Sequence, residues 1–187
     1  MIGEKITSEG ATFQMDKLKL QEKKGMLDKL FYKENKQRDF YLCGTYVNKD
    51  GEKKFSKWKS YLNCVANIDV LNLEKNDWKD LEYFKQINQR QIFPHEIVLD
   101  MEEPEQLKPI VEKIRGWGWE GVVFETGSRG YHIHLTSKED FTEEEKEAIV
   151  LKLGTDIQKC SEKNLIALEN YPHWKTGKLK RQIEVLI

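Results

Sequence analysis

Two acidic residues two positions apart end a run of branched apolar residues, in Asp100-Met101-Glu102. On a strand, side chains two residues apart project from the same face, so Asp100 and Glu102 would point to one place. Two close carboxylates repel unless cations lie between them, and oxygen ligands of this kind suit Mg²⁺ or Mn²⁺. Acids are also typical of a first helical turn, which Pro104 would begin here. The pair alone therefore fits a metal site and a solvated helix start equally well.

A glycine-containing turn follows the acidic pair after a gap of helical length. Two glycines allow backbone N–H groups to approach an anion, and hydroxyl, guanidinium and imidazole groups add further donors. The residues that would contribute are Thr126, Gly127, Ser128, Arg129, Gly130 and His132. An ordinary hairpin loop has the same composition, in which case His132 and His134 are strand residues that share one face.

Two further elements with suitable chemistry lie nearer the C-terminus. Asp156 follows the helix-ending pair Gly154-Thr155, and a basic loop contains His173 and Lys175. A histidine and a lysine two residues apart on extended backbone could both contact a triphosphate. The simpler alternatives are a surface acid at a helix end and a solvated hairpin.

The 187 residues are sufficient for one domain with a real core, or for a core domain with an added lobe. Apolar side chains make up 39% and charged side chains 34%, as in globular proteins, and no apolar run reaches membrane-spanning length. The segment Met1–Gln14 does not resemble a secretory signal, so we expect a cytoplasmic protein without a membrane partner. Cys43, Cys64 and Cys160 form no Cys-x-x-Cys pair, which favours buried free thiols over a zinc site.

The net charge of -1 gives no general indication of nucleic-acid binding, but the charges are unevenly distributed. Lysines outnumber acids over Lys5–Lys59, and His173–Arg181 contains no acid, whereas Glu96–Glu112 is strongly acidic. Basic edges that bind phosphates, around an acidic strand that binds cations, would give this distribution. An ordinary solvated surface would give it equally well.

Periodicity and turn signals predict the elements that would position these residues. In the first half they predict a helix over Asp16–Gln37, a strand over Phe40–Val47, a turn at Asn48–Gly51, a returning strand over Lys54–Leu62 and a helix over Trp78–Asn88. In the second half they predict strands over Ile92–Met101, Gly121–Glu125, Tyr131–Leu135, Leu165–Leu168 and Gln182–Ile187, with helices over Pro104–Trp117 and Thr142–Leu153. From Ile92 the order is strand, helix, strand, strand, helix, strand, the split βαβ arrangement of an α+β protein.

Taken in order, these elements resemble the archaeo-eukaryotic primase superfamily, which includes primase small subunits and the primase-polymerases of plasmids and viruses. That family has an Asp-x-Asp/Glu strand, a Ser-Gly-x-x-Gly-x-His hairpin, a later Asp and a His-x-Lys-Thr-Gly-like loop. The chain offers Asp100-Met101-Glu102, Thr126–His132, Asp156 and His173–Gly177 in the same order. The resemblance covers 92–187, about half the chain, and implies an RRM-like catalytic core with an antiparallel sheet and helices on one face. Residues 1–91 would form an N-terminal α/β extension packed in the same unit.

The resemblance implies a DNA primase or primase-polymerase that joins nucleoside triphosphates on a single-stranded DNA template by a two-metal mechanism. Asp100, Glu102 and Asp156 would hold two divalent ions, Mg²⁺ or Mn²⁺. The triphosphate would be bound by Thr126, Gly127, Ser128, Arg129, Gly130, His132, His173 and Lys175. Attack of a 3′-hydroxyl on the α-phosphate would release pyrophosphate, with catalysis mainly from positioning and charge neutralisation.

The chain departs from the family pattern at three places. Thr126 replaces the usual serine but keeps a hydroxyl. The arginines that often precede the His-x-Lys loop are missing, so Glu169 competes with Asp156 as the third metal ligand. A zinc-binding knob is also missing, so template and primer binding would need residues 1–91 or another protein, such as a helicase or an accessory primase subunit.

Three other functions compete with this one. His132-Ile133-His134 fits the His-hydrophobe-His signature of rolling-circle (HUH-type) nucleases, which would need Tyr171, the only later tyrosine, as nucleophile. An RRM-like sheet could instead bind single strands without catalysis, through aromatic residues that would otherwise pack in the core. These aromatic candidates are Phe124, Tyr131, Trp174, Trp117 and Trp119. A catalytically inactive primase-like subunit would have the same sequence features.

Overall fold

The structure, a computed structural model, describes residues 22–23, 25, 41–61, 86–156, 159–161 and 164–187. The helices predicted over Asp16–Gln37 and Trp78–Asn88 lie largely outside these residues. The chain divides into two compact units, and most described residues belong to the unit formed by Phe40–Ser60 and Gln86–Ile187. All candidate site residues lie in that unit.

This unit has an α+β architecture with two antiparallel sheets and two helices, which confirms the predicted class. The strands are β1 (Tyr41–Val47), β2 (Lys53–Phe55), β3 (Lys59–Ser60), β4 (Ile87–Gln91), β5 (Glu96–Met101), β6 (Gly121–Glu125), β7 (Tyr131–Thr136), β8 (Leu165–Ala167) and β9 (Arg181–Leu186). The helices are α1 (Pro104–Gly116) and α2 (Glu143–Leu153).

None of the helices among the described residues is long and apolar enough to cross a lipid bilayer. Cys43 and Cys160 are buried free thiols, as predicted, whereas Cys64 lies outside the described residues.

The first sheet has the order β2-β1-β4-β8, with β3 also paired to β1. β1 and β2 form the hairpin that the Asp-Gly signal predicts. Gly51 has φ 79°, and its N–H donates to the carbonyl of Asn48 at 3.1 Å. Glycine suits this positive φ because it has no Cβ to clash with the backbone.

β4 was not predicted as a strand, and β5 begins later than predicted. Ile87 and Asn88 lie in a strand and not in a helix, and Ile87 is fully buried opposite Gly44 of β1. Strand pairing and burial therefore override a weak local helix preference. β5 begins at Glu96 and not at Ile92, because Pro94 and His95 form a turn that the N–H of Glu96 closes onto Phe93.

The second sheet has the order β5-β7-β6-β9, so β7 lies between β5 and β6. One face of this sheet packs against both helices. The cluster consists of Ile97, Leu99, Met101, Val123, Ile133, Leu135 and Leu186 from the strands, with Ile110, Val111, Ile114, Val150 and Leu153 from the helices and Cys160. Both predicted ends of α2 are confirmed, since Thr142 and Glu145 form the capping box and Gly154 ends the helix with φ 77°.

The opposite face of the second sheet contacts the first sheet. Val98 of β5 packs in a small buried cluster with Ile92 and Ile166. The strand after α2, β8, pairs with β4 in the first sheet, and β9 is the fourth strand of the second. Polar residues of β5 and β7 therefore face a second layer of strands.

Candidate active site

Asp100 and His132 are direct neighbours across β5 and β7. The antiparallel register places them opposite each other, with Asp100 Oδ1 3.5 Å from His132 Nε2. The side chain of Asp100 is 33% exposed and that of His132 is 9% exposed. One carboxylate and one imidazole, predicted from two separate motifs, thus lie together at an accessible position.

The protonation states of this pair follow from burial and nearby charge. Burial and the charge of Lys180 lower the pKa of His132 to about 4, so the ring is neutral at pH 7. Burial alone would raise the pKa of Asp100, but His132, Lys159 and Lys180 outweigh it and lower that pKa. If the proton of the neutral ring is on Nε2, facing Asp100, Nδ1 is an acceptor, and it has no hydrogen-bond partner among the described residues.

A fully buried cluster of charged residues lies beside this pair, between the two sheets. Arg90 donates to both carboxylate oxygens of Glu96 at 2.7 Å and to both of Glu169 at 2.9 and 3.0 Å. Lys180 Nζ donates to Glu169 at 3.0 Å and to the carbonyl of Ala167 at the same distance. Two cations and two carboxylates therefore balance, as buried charges require.

His134 belongs to this cluster and differs from His132. Its Nδ1 is 2.7 Å from Glu96 and its Nε2 is 3.0 Å from Lys180 Nζ. This arrangement assigns a neutral ring that donates from Nδ1 and accepts at Nε2, and burial together with the charge of Lys180 lowers its pKa. Both ring nitrogens are thus already engaged by protein groups.

The glycine turn packs directly against the end of β5. Thr126 closes the turn, since its hydroxyl donates to the carbonyl of Arg129 at 2.9 Å and its N–H donates to Gly130 at 3.2 Å. Gly130 has φ 80°, and a Cβ there would collide with the carbonyl of Met101. The glycine and the threonine therefore shape the turn, which leaves the exposed side chains of Ser128 and Arg129 as its available donors.

The acidic pair is not presented on one strand face. β5 ends at Met101, so the alternation applies to Asp100, whereas Glu102 lies beyond the strand and is exposed. Glu102 lines a cavity of about 330 Å³ together with Ser128 and Arg129. Within the described part of the chain, no three His, Cys, Asp or Glu residues are grouped so that they could hold a metal ion.

The basic loop meets the glycine turn from the other side. Thr176 donates through its hydroxyl to the carbonyl of Gly127, and a Cβ on Gly127 would collide with the carbonyl of Lys178. Within the loop, the N–H of His173 donates to Lys178 at 2.7 Å. Burial, with the charges of Lys53 and Lys175, lowers the pKa of His173.

The two candidates for a third acidic ligand have opposite surroundings. Asp156 is exposed after α2, and its charge contributes to raising the pKa of the Cys160 thiol. Glu169 is buried with Arg90 and Lys180, whose charges outweigh the effect of burial and hold its pKa well below the ordinary value. Both oxygens of Glu169 are occupied by these cations, so it is not available to a metal ion.

Sequence reasoning did not find Arg90, Glu96 or Lys180 as parts of the site. The available signal was weak: Glu96 opens an otherwise apolar run, and Lys180 is one of several lysines in a basic loop. Their burial depends on the packing of two sheets, which local patterns do not encode.

No protein-family model matches the chain, and no curated protein matches its sequence. The primase resemblance therefore depends on the ordered sequence motifs alone.

Proposed function

We propose that the protein is a primase-type nucleotidyltransferase that joins nucleoside triphosphates on a single-stranded DNA template. One observation carries the proposal: three motifs that are distant in sequence meet at one place in the fold. The turn 126–130 lies against Met101 at the end of β5, and the loop 173–178 is hydrogen-bonded to Gly127 of the same turn. Asp100 and His132 face each other beside them.

The residues around this place have complementary roles in the proposal. Asp100 is ionised and partly accessible, which fits a ligand of a divalent ion that takes its remaining positions from water and phosphate oxygens. Glu102, just beyond the end of β5, is the proposed second ligand. Asp156 would have to approach this pair when the ion binds, because no third acid is grouped with it among the described residues. When bound, Mg²⁺ or Mn²⁺ would neutralise phosphate charge and activate the attacking hydroxyl.

The groups that would bind the triphosphate are donors and cations. Ser128 and Arg129 are exposed at the turn, and Lys175 is exposed on the loop that contacts it. His132 would act on the site through Asp100, because its Nδ1 is buried and out of reach of a bound nucleotide. Most of the catalytic effect would come from positioning and from compensation of the charge on the triphosphate.

The RRM-like core is also part of the proposal. In the segment β5-α1-β6-β7, β7 lies between β5 and β6, an order that is compatible with the start of a split βαβ arrangement. In this chain the strand after α2 is recruited to the first sheet, so β9 completes the second.

Nucleotide incorporation tests the proposed activity. Single-stranded DNA and labelled nucleotides are incubated with Mg²⁺ or Mn²⁺ and wild type, Asp100→Asn, or Glu112→Gln, an exposed acid on α1. We expect Asp100→Asn to reduce product formation at least about a hundredfold, as loss of a charge-compensating group does in other enzymes. Glu112→Gln should match wild type, and equal product from Asp100→Asn would contradict the proposal.

A non-catalytic primase-like subunit is the second candidate. It is favoured by the lack, among the described residues, of three grouped metal ligands. Oligonucleotide binding without product in either metal would support it. The HUH-type nuclease has less support, because both nitrogens of His134 are engaged by Glu96 and Lys180 and burial raises the pKa of Tyr171.

A further inference from the structure

Exposed aromatic side chains are concentrated on the hairpin formed by β1, β2 and β3. Tyr41, Phe55 and Trp58 expose 46%, 53% and 41% of their surface. Single exposed rings are ordinary, but several on one short hairpin form the kind of patch that marks a binding surface.

The strand register places these rings on one side of the hairpin. The register shift between Cys43 and Gly44 leaves its extra residue, Asn88, on β4, so β1 keeps its alternation. Phe55 is directly opposite Thr45, and Tyr41 is four residues before Thr45 in β1, so Tyr41 and Phe55 project from the same side. The ring centroid of Trp58 is 6.3 Å from that of Tyr41. The three rings therefore line one side of the strands.

A lysine connects this side of the hairpin to the candidate active site. Lys53 Nζ lies 4.7 Å from the centroid of the Phe55 ring and 5.0 Å from that of Trp174. Trp174 belongs to the basic loop that is hydrogen-bonded to Gly127. The aromatic side of the hairpin is thus continuous with the turn proposed to bind the triphosphate.

The charge of this region is complementary to a phosphate backbone. Residues 41–61 contain five lysines and two acids, Asp50 and Glu52. Glu52 is paired with Lys54 at 2.9 Å, whereas Lys53 lies over the aromatic rings. The segment His173–Arg181 adds further basic residues and no acid. Cations beside exposed rings suit a ligand that has both negative charge and flat apolar faces.

We propose that Tyr41, Lys53, Phe55, Trp58 and Trp174, here called the stacking surface, bind single-stranded nucleic acid. Unpaired bases would stack on the rings without sequence preference, while the lysines contact phosphates. The strand would then lead from the hairpin to the glycine turn. The proposal of binding depends only on the residues of the stacking surface. The role of the bound strand as template rests on the proposed function.

Binding is measured by fluorescence anisotropy of a labelled oligothymidine of about 20 nucleotides, over a range of salt concentrations. Phe55→Ala is expected to weaken binding at least about fivefold, which corresponds to the loss of one base–aromatic stack. Lys53→Gln is expected to reduce the slope of log affinity against log salt by about 0.7, the value for one phosphate contact on a single strand.

The chain offers matched controls one residue away. Tyr46 pairs with Lys54, next to the pair formed by Thr45 and Phe55. Tyr46 and Lys54 therefore project from the other side of the same hairpin. Tyr46→Ala and Lys54→Gln should bind within about twofold of wild type. Equal losses on both sides, no binding by wild type, or tighter binding of duplex DNA would each overturn the proposal. Binding of either oligothymidine or oligouridine supports the proposal, and the tighter of the two shows whether the strand is DNA or RNA.

Nucleotide incorporation by the same variants separates this proposal from the proposed function. Asp100→Asn should lose incorporation but keep oligonucleotide binding. If wild type binds single strands through Phe55 but incorporates nothing, the stacking surface stands and the enzymatic proposal fails. If wild type incorporates nucleotides and Phe55→Ala binds as well as wild type, the stacking surface is wrong and the enzymatic proposal stands.

Discussion

The two histidines of β7 have different surroundings, although the sequence presents them as an equivalent pair two residues apart. His134 is held between Glu96 and Lys180 and stabilises the contact between the sheets. His132 faces the partly accessible Asp100 and has one unpartnered nitrogen. The motif predicted that Asp100 and His132 share a site, and the register places them together. It did not predict the partners of His134, because these come from strands and loops far away in sequence.

The lowered pKa of His132 predicts a dependence of stability on pH. Its pKa is about 4 in the folded protein and near 6.5 when unperturbed, so the unfolded chain binds more protons between these values. The free energy of unfolding should therefore fall as the pH is lowered through this window. Urea denaturation at about pH 5 and about pH 7 measures the difference. His132→Asn should show a smaller difference than wild type, and an unchanged difference in this variant would contradict the assignment.

The buried charge cluster predicts a large cost for the loss of one partner. Glu169→Gln leaves Arg90 and Lys180 incompletely compensated and should reduce the free energy of unfolding by about 3–5 kcal/mol. Glu184→Gln removes the exposed ion pair with Arg115 and should cost at most about 1 kcal/mol. Urea denaturation of both variants gives these values, and similar costs for the two would show that the buried cluster adds no special stability.

Among the elements, those with strong local signals were predicted well. The capping box of α2, the glycine that ends it and the Asp-Gly hairpin are each encoded by a few adjacent residues. β4 was not predicted, because Ile87 is buried by pairing with a distant strand. The start of β5 was predicted too early, because Pro94 interrupts an otherwise apolar run. The glycine turn was predicted as an anion site. Packing also requires glycine at positions 127 and 130, because a Cβ at either position would collide with neighbouring backbone.

Close packing of the turn on β5 predicts different effects of alanine at two glycines. Gly130 and Gly154 have nearly the same positive φ, 80° and 77°, but only Gly130 faces a carbonyl at collision distance. Gly154→Ala should cost about 1 kcal/mol for backbone strain alone. Gly130→Ala should cost clearly more and should also weaken nucleotide binding, because the turn must move away from Met101. Thermal and urea unfolding measure the loss of stability in each variant. An equal loss in Gly130→Ala and Gly154→Ala would contradict this packing.

At the scale of the whole unit, two antiparallel sheets are joined by buried charges and small apolar contacts. The α+β class followed from the order of the elements. The pairing of β8 with β4 in the first sheet could not be predicted from that order. Pairing between distant strands is decided by which faces can be buried together. The convergence of β5, the turn and the loop was predicted only through the primase resemblance. Among the described residues, Asp100, Glu102 and Asp156 are not grouped as three ligands of one metal ion.

We propose that this convergence performs template-directed nucleotidyl transfer, and a template-dependent choice of nucleotide is the property that distinguishes such an enzyme. Wild type and Asp100→Asn are given oligothymidine or oligocytidine templates with one labelled nucleotide at a time, in Mg²⁺ and in Mn²⁺. We predict that wild type incorporates adenine nucleotides on oligothymidine and guanine nucleotides on oligocytidine, and that Asp100→Asn incorporates neither. Incorporation that does not depend on the template, or none with either metal, would contradict the claim.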